Sequence, residues 1–534
     1  MRETARNATP RAAWITLALV AAGLFLAVLS TTLVSVALPS IGTALRADPA
    51  QLEWVVDAYV IVYSSLLVAG GAIGDRRGRK GLFLLGVCCF GAGSMLTGLA
   101  GSVPVLIAGR AVAGLGPALL VPGSLTIIRA VFTDERKRAV AIGMWSTASG
   151  VALAVGPVLG GALVAWAGWR AVFLFNVPVS AVLALAGARF IPRLPRSQPE
   201  GRFDWLGAAL TVVTISALAY ATIDGQSAGW SSPAVYAGFA AGAAALAAFV
   251  SWERHLRHPL VEVSLFTRPA FTAANAAAFV VFFAFVGAIV YFSAYFQQAS
   301  GHSALSAGLD VSVIGVAFAI AASASGRVVG RIGPRLPMTA GLALAGGATL
   351  GLLRLGLGTG IGAIWWDFAL LGAGIGLSLT PMTAVAMSAV GSSRAGMVSA
   401  VHNALRQVGQ VFGVAVLGAL VYAHLPGRSF GAPLNRASGQ VFIGGLHHAL
   451  WVSGLALFAA ALLAAILFRL PAARADRCAP DGRPLREGAV RPGEHQQAAF
   501  DAQLEEGVSV EAGPDLAVAL GQDPLPDHRA HRWI

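Results

Sequence analysis

Charge is what this sequence has least of. Asp, Glu, Lys and Arg together make up 12% of its 534 residues, about half the share in an ordinary soluble domain. Hydrophobic residues reach 56% and the mean hydropathy is +0.72. So little charge cannot cover a water-facing surface, which excludes a soluble enzyme or binding module and points to a chain crossing a bilayer many times. Cysteine is scarce too: Cys88, Cys89 and Cys478 offer no disulfide framework. Lysine is scarcer still. Lys80 and Lys137 are two of 37 basic residues, and neither sits in the G-x-x-x-x-G-K-[ST] context of a phosphate loop, so ATP is not the direct energy source. No metal-ligand set stands out. The adjacent pair His447 and His448 has no acid or cysteine nearby, and it reads as a solvated pair at an outer helix end. No cofactor is required.

What is present in quantity is long apolar runs. Fourteen segments have spanning length: 14–38, 54–73, 81–101, 103–128, 139–165, 171–190, 205–223, 233–251, 270–296, 304–325, 337–357, 361–388, 396–422 and 445–468. The first, about 25 residues, leads into further spans and reads as a membrane helix rather than a cleavable leader. The 64 glycines suit close helix packing in lipid. With the N-terminus placed in the cytoplasm, 30 of the 37 Lys and Arg fall in inner segments and four (Arg46, Arg170, Arg428, Arg436) in outer loops. The remaining three, Arg110, Arg354 and Arg406, lie inside spans. That asymmetry predicts both termini in the cytoplasm. It also accounts for the formal net charge of +12 without a nucleic-acid partner.

The organisation expected is a cytoplasmic N-terminus over 1–13, a six-helix half over 14–190, a linker with two additional helices over 191–269, a second six-helix half over 270–468, and a disordered, polar cytoplasmic tail over 469–534. A weak repeat supports two related halves. Gly71, Arg76 and Gly78 in "GAIGDRRGR" align with Gly326, Arg331 and Gly333 in "GRVVGRIGP". Paired halves around a central site are the architecture of secondary transporters.

"GAIGDRRGRK" (71–80) is the most specific local motif. Its glycines allow a tight turn and its arginines hold that turn inside. The spacing resembles the G-x-x-x-D-R-x-G-R-[RK] signature of the major facilitator superfamily. "LSTTLVSVALP" (29–39), "GPVLGG" (156–161), "GWRAVFLFNVP" (168–178), "FDWLG" (203–207), "YFQQASGHSALSAG" (295–308) and "NALRQVGQVFGVAVLG" (403–418) resemble its fourteen-helix drug:proton antiporter branch. The resemblance covers about residues 14 to 468. It implies an all-α polytopic membrane protein of the major facilitator fold, with two six-helix halves and two inserted central helices.

The resemblance also implies roles for residues. Gly71, Asp75, Arg76, Gly78, Arg79 and Arg129 belong to a conformational motif, in which Asp75 docks near Ala395 with help from Arg129. Gly156, Pro157, Gly160 and Gly161 match the antiporter motif, Pro157 kinking its helix. Arg110, roughly 10 Å into the fourth helix, matches an arginine associated with proton coupling, with Ala113 where a polar residue is often found. Arg406 matches a branch-typical residue, a candidate for the interface between halves. One position departs from the pattern: Ser30 stands where relatives usually carry an aspartate, and serine does not exchange a proton near neutral pH.

The acids inside spans are few. Asp57 and Asp310 lie a short way in from outer ends, and Asp367 nearer an end. An ionisable residue at membrane depth is by default a functional candidate. Asp57 enters from the same side as Arg110 and to similar depth, so an Asp57–Arg110 pair that carries the transported proton is one reading. An interfacial, wetted Asp57 beside Trp54 and Tyr59 is the other. Asp204 reads as a helix N-terminal charge. The ninth-segment aromatics (Phe279, Phe282, Phe283, Phe285, Tyr291, Phe292, Tyr295, Phe296) occupy several faces, so most meet lipid or neighbouring helices. The function these features imply is proton-coupled efflux of lipophilic or cationic drugs by a multi-pass protein of the cytoplasmic membrane. The alternative is a transporter of one specific metabolite. Its partners are a small-molecule substrate, protons and lipid.

Overall fold

The computed structural model describes residues 10–194, 203–257, 259–388, 395–423, 425 and 434–467. Among them are fourteen helices long and apolar enough to cross a membrane: α1 (Arg11–Leu45), α2 (Pro49–Gly74), α3 (Arg79–Gly98), α4 (Val103–Val131), α5 (Val140–Ala167), α6 (Trp169–Phe190), α7 (Trp205–Gly225), α8 (Pro233–His255), α9 (Pro269–Ala299), α10 (Ala304–Ile332), α11 (Arg335–Arg354), α12 (Ile361–Ser388), α13 (Met397–Tyr422) and α14 (Arg436–Leu467). The described residues hold no strand. Successive helices run in opposite directions, so the connections after α1, α3, α5 and α9 share one end, poor in charge. The connections after α2, α4 and α10 share the other, basic end.

Polar side chains set where the helices begin. Asp48 and Gln51 form a reciprocal cap at the start of α2 (Gln51 N to Asp48 Oδ1 2.8 Å, Asp48 N to Gln51 Oε1 3.1 Å), which satisfies orphan donors at a helix end. Asp204 caps α7 by accepting from the Gly207 N–H at 2.9 Å and from the Trp252 indole at 2.9 Å. Its sequence reading as an N-terminal helix charge thus has a geometric basis.

α1–α6 pack among themselves, as do α9–α14, while α7 and α8 form a pair of which α7 lies against α2 and α13. The two groups of six meet along two seams, α5 with α10 and α2 with α13. On the first seam, a side chain at Gly161 would begin 2.7 Å from the Leu305 Cα, and Gly308 lies directly on the Pro157 carbonyl. Backbones touch here because neither glycine carries a Cβ. Nearer the basic end, Gly143 of α5 and Gly326 and Gly330 of α10 have nothing within 4 Å of a Cβ position.

The α2 helix runs on to Arg77, so Gly71, Asp75 and Arg76 stand on its last turns. The turn itself rests on Gly78 alone, at φ 105°. Gly333, its aligned partner after α10, also has positive φ, 77°. Both repeats therefore stop their helix with a glycine in a conformation other residues avoid. Segment 469–534 lies outside the described residues, as do the side chains of Asp75 and Ala395.

Candidate functional site

The capped start of α2 fixes which face of that helix turns inward. Glu53 and Asp57, one turn apart, share that face and both are buried. α2 packs along α4, which brings Arg110 beside them. Arg110 is 1% exposed. Its Nε donates to the Val55 carbonyl at 2.8 Å and its Nη1 to the Ser30 hydroxyl at 3.0 Å. Its guanidinium also lies 4.4 Å from the Tyr59 ring centroid and 6.0 Å from that of Phe173. An arginine so placed is stabilised by backbone, hydroxyl and π-faces together.

The expected ion pair between Asp57 and Arg110 is not formed. Both Asp57 carboxyl oxygens are buried without a hydrogen-bond partner, and Nη2 of Arg110 has none either. The reason is geometric: the guanidinium is spent on α1 and on the α2 backbone, through Ser30 and Val55. Ser30, where an acid was expected, is thus the group that Arg110 actually reaches. Nor is Asp57 a wetted interfacial residue, since its exposure is 0%.

On the opposing side, α13 presents His402, Asn403, Arg406, Gln407 and Gln410. Arg406 lies 4.2 Å from the Phe282 ring centroid and donates to Asn403 Oδ1 at 3.0 Å, while its Nε has no partner. His402 is buried between Asn275 of α9 (3.1 Å) and Thr383 of α12 (3.2 Å). Reading the sequence for isolated charges found Arg406 but missed this polar stripe.

Glu53 was missed for a different reason. It sits at the very start of the second apolar segment, where an acid passes as the helix boundary. In the structure it is covered by α9 and α13: the Tyr291 hydroxyl lies 3.4 Å from Glu53 Oε1, and a Cβ at Gly418 would overlap the carboxyl. Its spacing of four from Asp57 was the available clue.

The other candidates are dispersed. Asp310 pairs with His302 (2.8 Å) near the charge-poor end and remains partly exposed, while His302 stacks on Phe296 at 5.3 Å. Asp367 is ion-paired with Arg354, which stands at the end of α11 rather than within the apolar span. His447 is not simply solvated, for its Nε2 donates to the Leu355 carbonyl at 3.0 Å. Arg129 is exposed and Arg76 lies 5.7 Å from the Phe203 ring. Gly156 and Gly160 press on Thr32 and Leu33 of α1, and Pro157 and Gly161 on α10. The α9 aromatics are nearly all buried among neighbouring helices, with only Phe279 intermediate. α9 is therefore central, and most of its aromatic faces meet protein rather than lipid.

The family model for the Major Facilitator Superfamily matches residues 20–414. The multidrug resistance protein Stp of Mycobacterium tuberculosis is 34% identical over 413 residues, 77% of this chain and 76% of that one. The methylenomycin A resistance protein of Bacillus subtilis is 33% identical over 410 residues, 76% of this chain and 87% of that one. Among solved structures, a bacterial homolog of the human lysosomal transporter Spinster, inward-facing and unoccupied, superposes with a TM-score of 0.64 at 19% identity. That match covers 87% of this chain and 98% of the other.

Proposed function

Because the chain belongs to the major facilitator superfamily, we propose that it is a proton-driven efflux antiporter for lipophilic or cationic drugs, working by alternating access. Relatives at 33–34% identity are named for resistance to drugs or antibiotics, which supports a small-molecule substrate. The observation that carries the proton step is Asp57: a fully buried carboxyl with no hydrogen-bond partner, close to an arginine engaged elsewhere. A carboxylate cannot rest uncompensated in apolar surroundings without strong pressure to take up a proton. Asp57 therefore holds the proton, and Arg110 biases its charge state from the side.

The seams supply the alternation. Backbones touch along α5–α10 at Gly161 and Gly308, near the charge-poor end, while Gly143, Gly326 and Gly330 nearer the basic end have open space beside them, which supports one of the two states of a rocking transporter. The distribution of arginine supports a cytoplasmic basic end and cytoplasmic termini, which would make this the state open inward. Asp75, docking near Ala395 beside Arg129, latches the opposite state. Asp310 and Arg406 remain secondary candidates, the first for coupling and the second for the interface. A second reading, export of one specific metabolite, is favoured by the methylenomycin A relative, named for a single antibiotic.

The test is a pH jump on proteoliposomes with a panel that includes ethidium as a lipophilic cation, comparing wild type, Asp57→Asn and Arg110→Ala. Gradient-driven flux in wild type and its loss in Asp57→Asn are expected. Flux indifferent to the gradient in wild type would remove antiport and leave the fold standing.

A further inference from the structure

The two helices inserted between the halves carry a pair of acids that takes no part in the proton step assigned to Asp57. Asp204 caps the start of α7, and Glu253 stands on the last turn of α8, at the basic end. Two neighbours on α8 reach Asp204 together. The Trp252 indole donates to Oδ1, which also accepts the Gly207 N–H. That leaves Oδ2 for Glu253, whose carboxyl is in hydrogen-bonding contact with that of Asp204. Gly207 permits the approach: a Cβ there would overlap Asp204 Oδ2 and stand 2.8 Å from Glu253 Oε1. Neither oxygen has a donor from any other residue, and Glu253 is 2% exposed. An ionised carboxyl can only accept, so a bond between two of them needs a proton on one. Out of water, like charges this close do not both persist.

The surroundings do not relieve the pair. On α8, Arg254 and Arg257 are exposed, and His255 bonds the Ser251 carbonyl at 2.6 Å. On α2, Arg76 lies over the Phe203 ring and Arg77 is exposed. Between α8 and α9, the N–H groups of Leu260 and Val261 reach the Glu253 carboxyl, Val261 at 3.3 Å from Oε2. Glu262 accepts from the Ser264 hydroxyl at 3.0 Å. The described base of α13, 395–401, has no ionisable side chain, and His402 above it is held by Asn275 and Thr383. The charge that bears on Glu253 is that of Asp204.

We propose that Asp204 and Glu253 share one proton, and that this proton clasps the bases of α7 and α8 into a brace for the α2–α13 seam, against which α7 lies. The proton is exchanged with the compartment at the basic end. Once it is lost, two carboxylates face each other and the bases part. The brace is therefore firm when that compartment is acid and slack when it is alkaline. None of this depends on the antiport reading.

A distance measurement that needs no substrate tests the clasp. In a background with Cys88, Cys89 and Cys478 replaced, spin labels at Leu206→Cys and Ser251→Cys report the separation of the two bases. Both positions are exposed. In the full chain in lipid nanodiscs, raising the pH from about 5 to about 9, a range that spans the titration of buried carboxyls, should shift the population from short to long separation. Glu253→Gln sets an amide N–H opposite Asp204 and should hold the short separation at both pH values. Asp204→Asn keeps the helix cap and should do the same from the other side, so either variant decides if the other fails to fold. Infrared spectra over the same pH step should show a protonated carboxyl band lost with alkali in the parent protein and missing from both variants. A parent distance that ignores pH, a variant that still parts with alkali, or a carboxyl band that survives both substitutions overturns the proposal. Ethidium flux indifferent to the pH gradient would remove antiport and leave the clasp standing.

Discussion

Two buried aspartates make opposite use of the same environment. Asp367 on α12 and Asp57 on α2 are both 0% exposed. Asp367 is gripped by Arg354, whose Nη1 approaches Oδ1 at 3.2 Å and whose Nη2 makes the closer contact with Oδ2. The same arginine also donates to the carbonyls of Gly351 and Ala363. Asp57 has an arginine in its neighbourhood and no bond to it. A carboxylate with its own counter-ion has little reason to change protonation state, and one without has every reason. Burial alone therefore does not separate the two acids; the missing partner does, and it is the ground on which Asp57 is the proposed proton carrier.

Substitutions can break this contrast. The largest effect is expected from Asp57→Asn: gradient-driven efflux falls by at least about tenfold, the factor that 1.4 kcal/mol of lost coupling represents, with unchanged protein levels and thermal stability. Efflux assayed in proteoliposomes under an imposed pH step decides it. Next, Gly161→Val drives a branched side chain into Leu305 at the α5–α10 seam. Turnover is expected to fall several-fold, and label accessibility at the charge-poor end to rise. Third, Arg354→Ala strands the Asp367 carboxyl. Thermal unfolding in detergent should show a loss of about 1–3 kcal/mol, while transport per folded molecule stays at the wild-type level. If Arg354→Ala abolished transport and Asp57→Asn did not, the assignment of the two acids would be reversed. The smallest change belongs to His447→Ala, which removes one hydrogen bond to Leu355 and costs about 1 kcal/mol or less in the same unfolding measurement.

Hydropathy made the spans legible, because fourteen apolar stretches separated by short polar links admit little else. Ends were read less evenly: 361–388 coincides with α12, whereas α1 runs on to Leu45 rather than 38 and α14 starts at Arg436 rather than 445. The paired glycines 78 and 333 showed the repeat, and the structure gives both the same backbone sign. Partners were not legible. Arg110 choosing Ser30 and Val55 over Asp57 depends on how α1, α2 and α4 pack, which no spacing along one helix reveals. Glu53 is buried by Tyr291 and Gly418, residues more than 200 positions away in the chain. His402 likewise reads as one more polar residue until α9 and α12 close around it.

The α5–α10 seam has an energetic consequence. Where Gly161 and Gly308 let backbones touch, the close contact adds dispersion, and few rotamers have to be released if the helices part. Two conformations joined by such a surface differ by only a few kcal/mol, and a ligand can shift such an equilibrium only by its differential affinity for the two forms. Under the proposed antiport, one proton bound or released would supply a difference of that size. The glycines thus keep the molecule within reach of the small driving force it has to answer to.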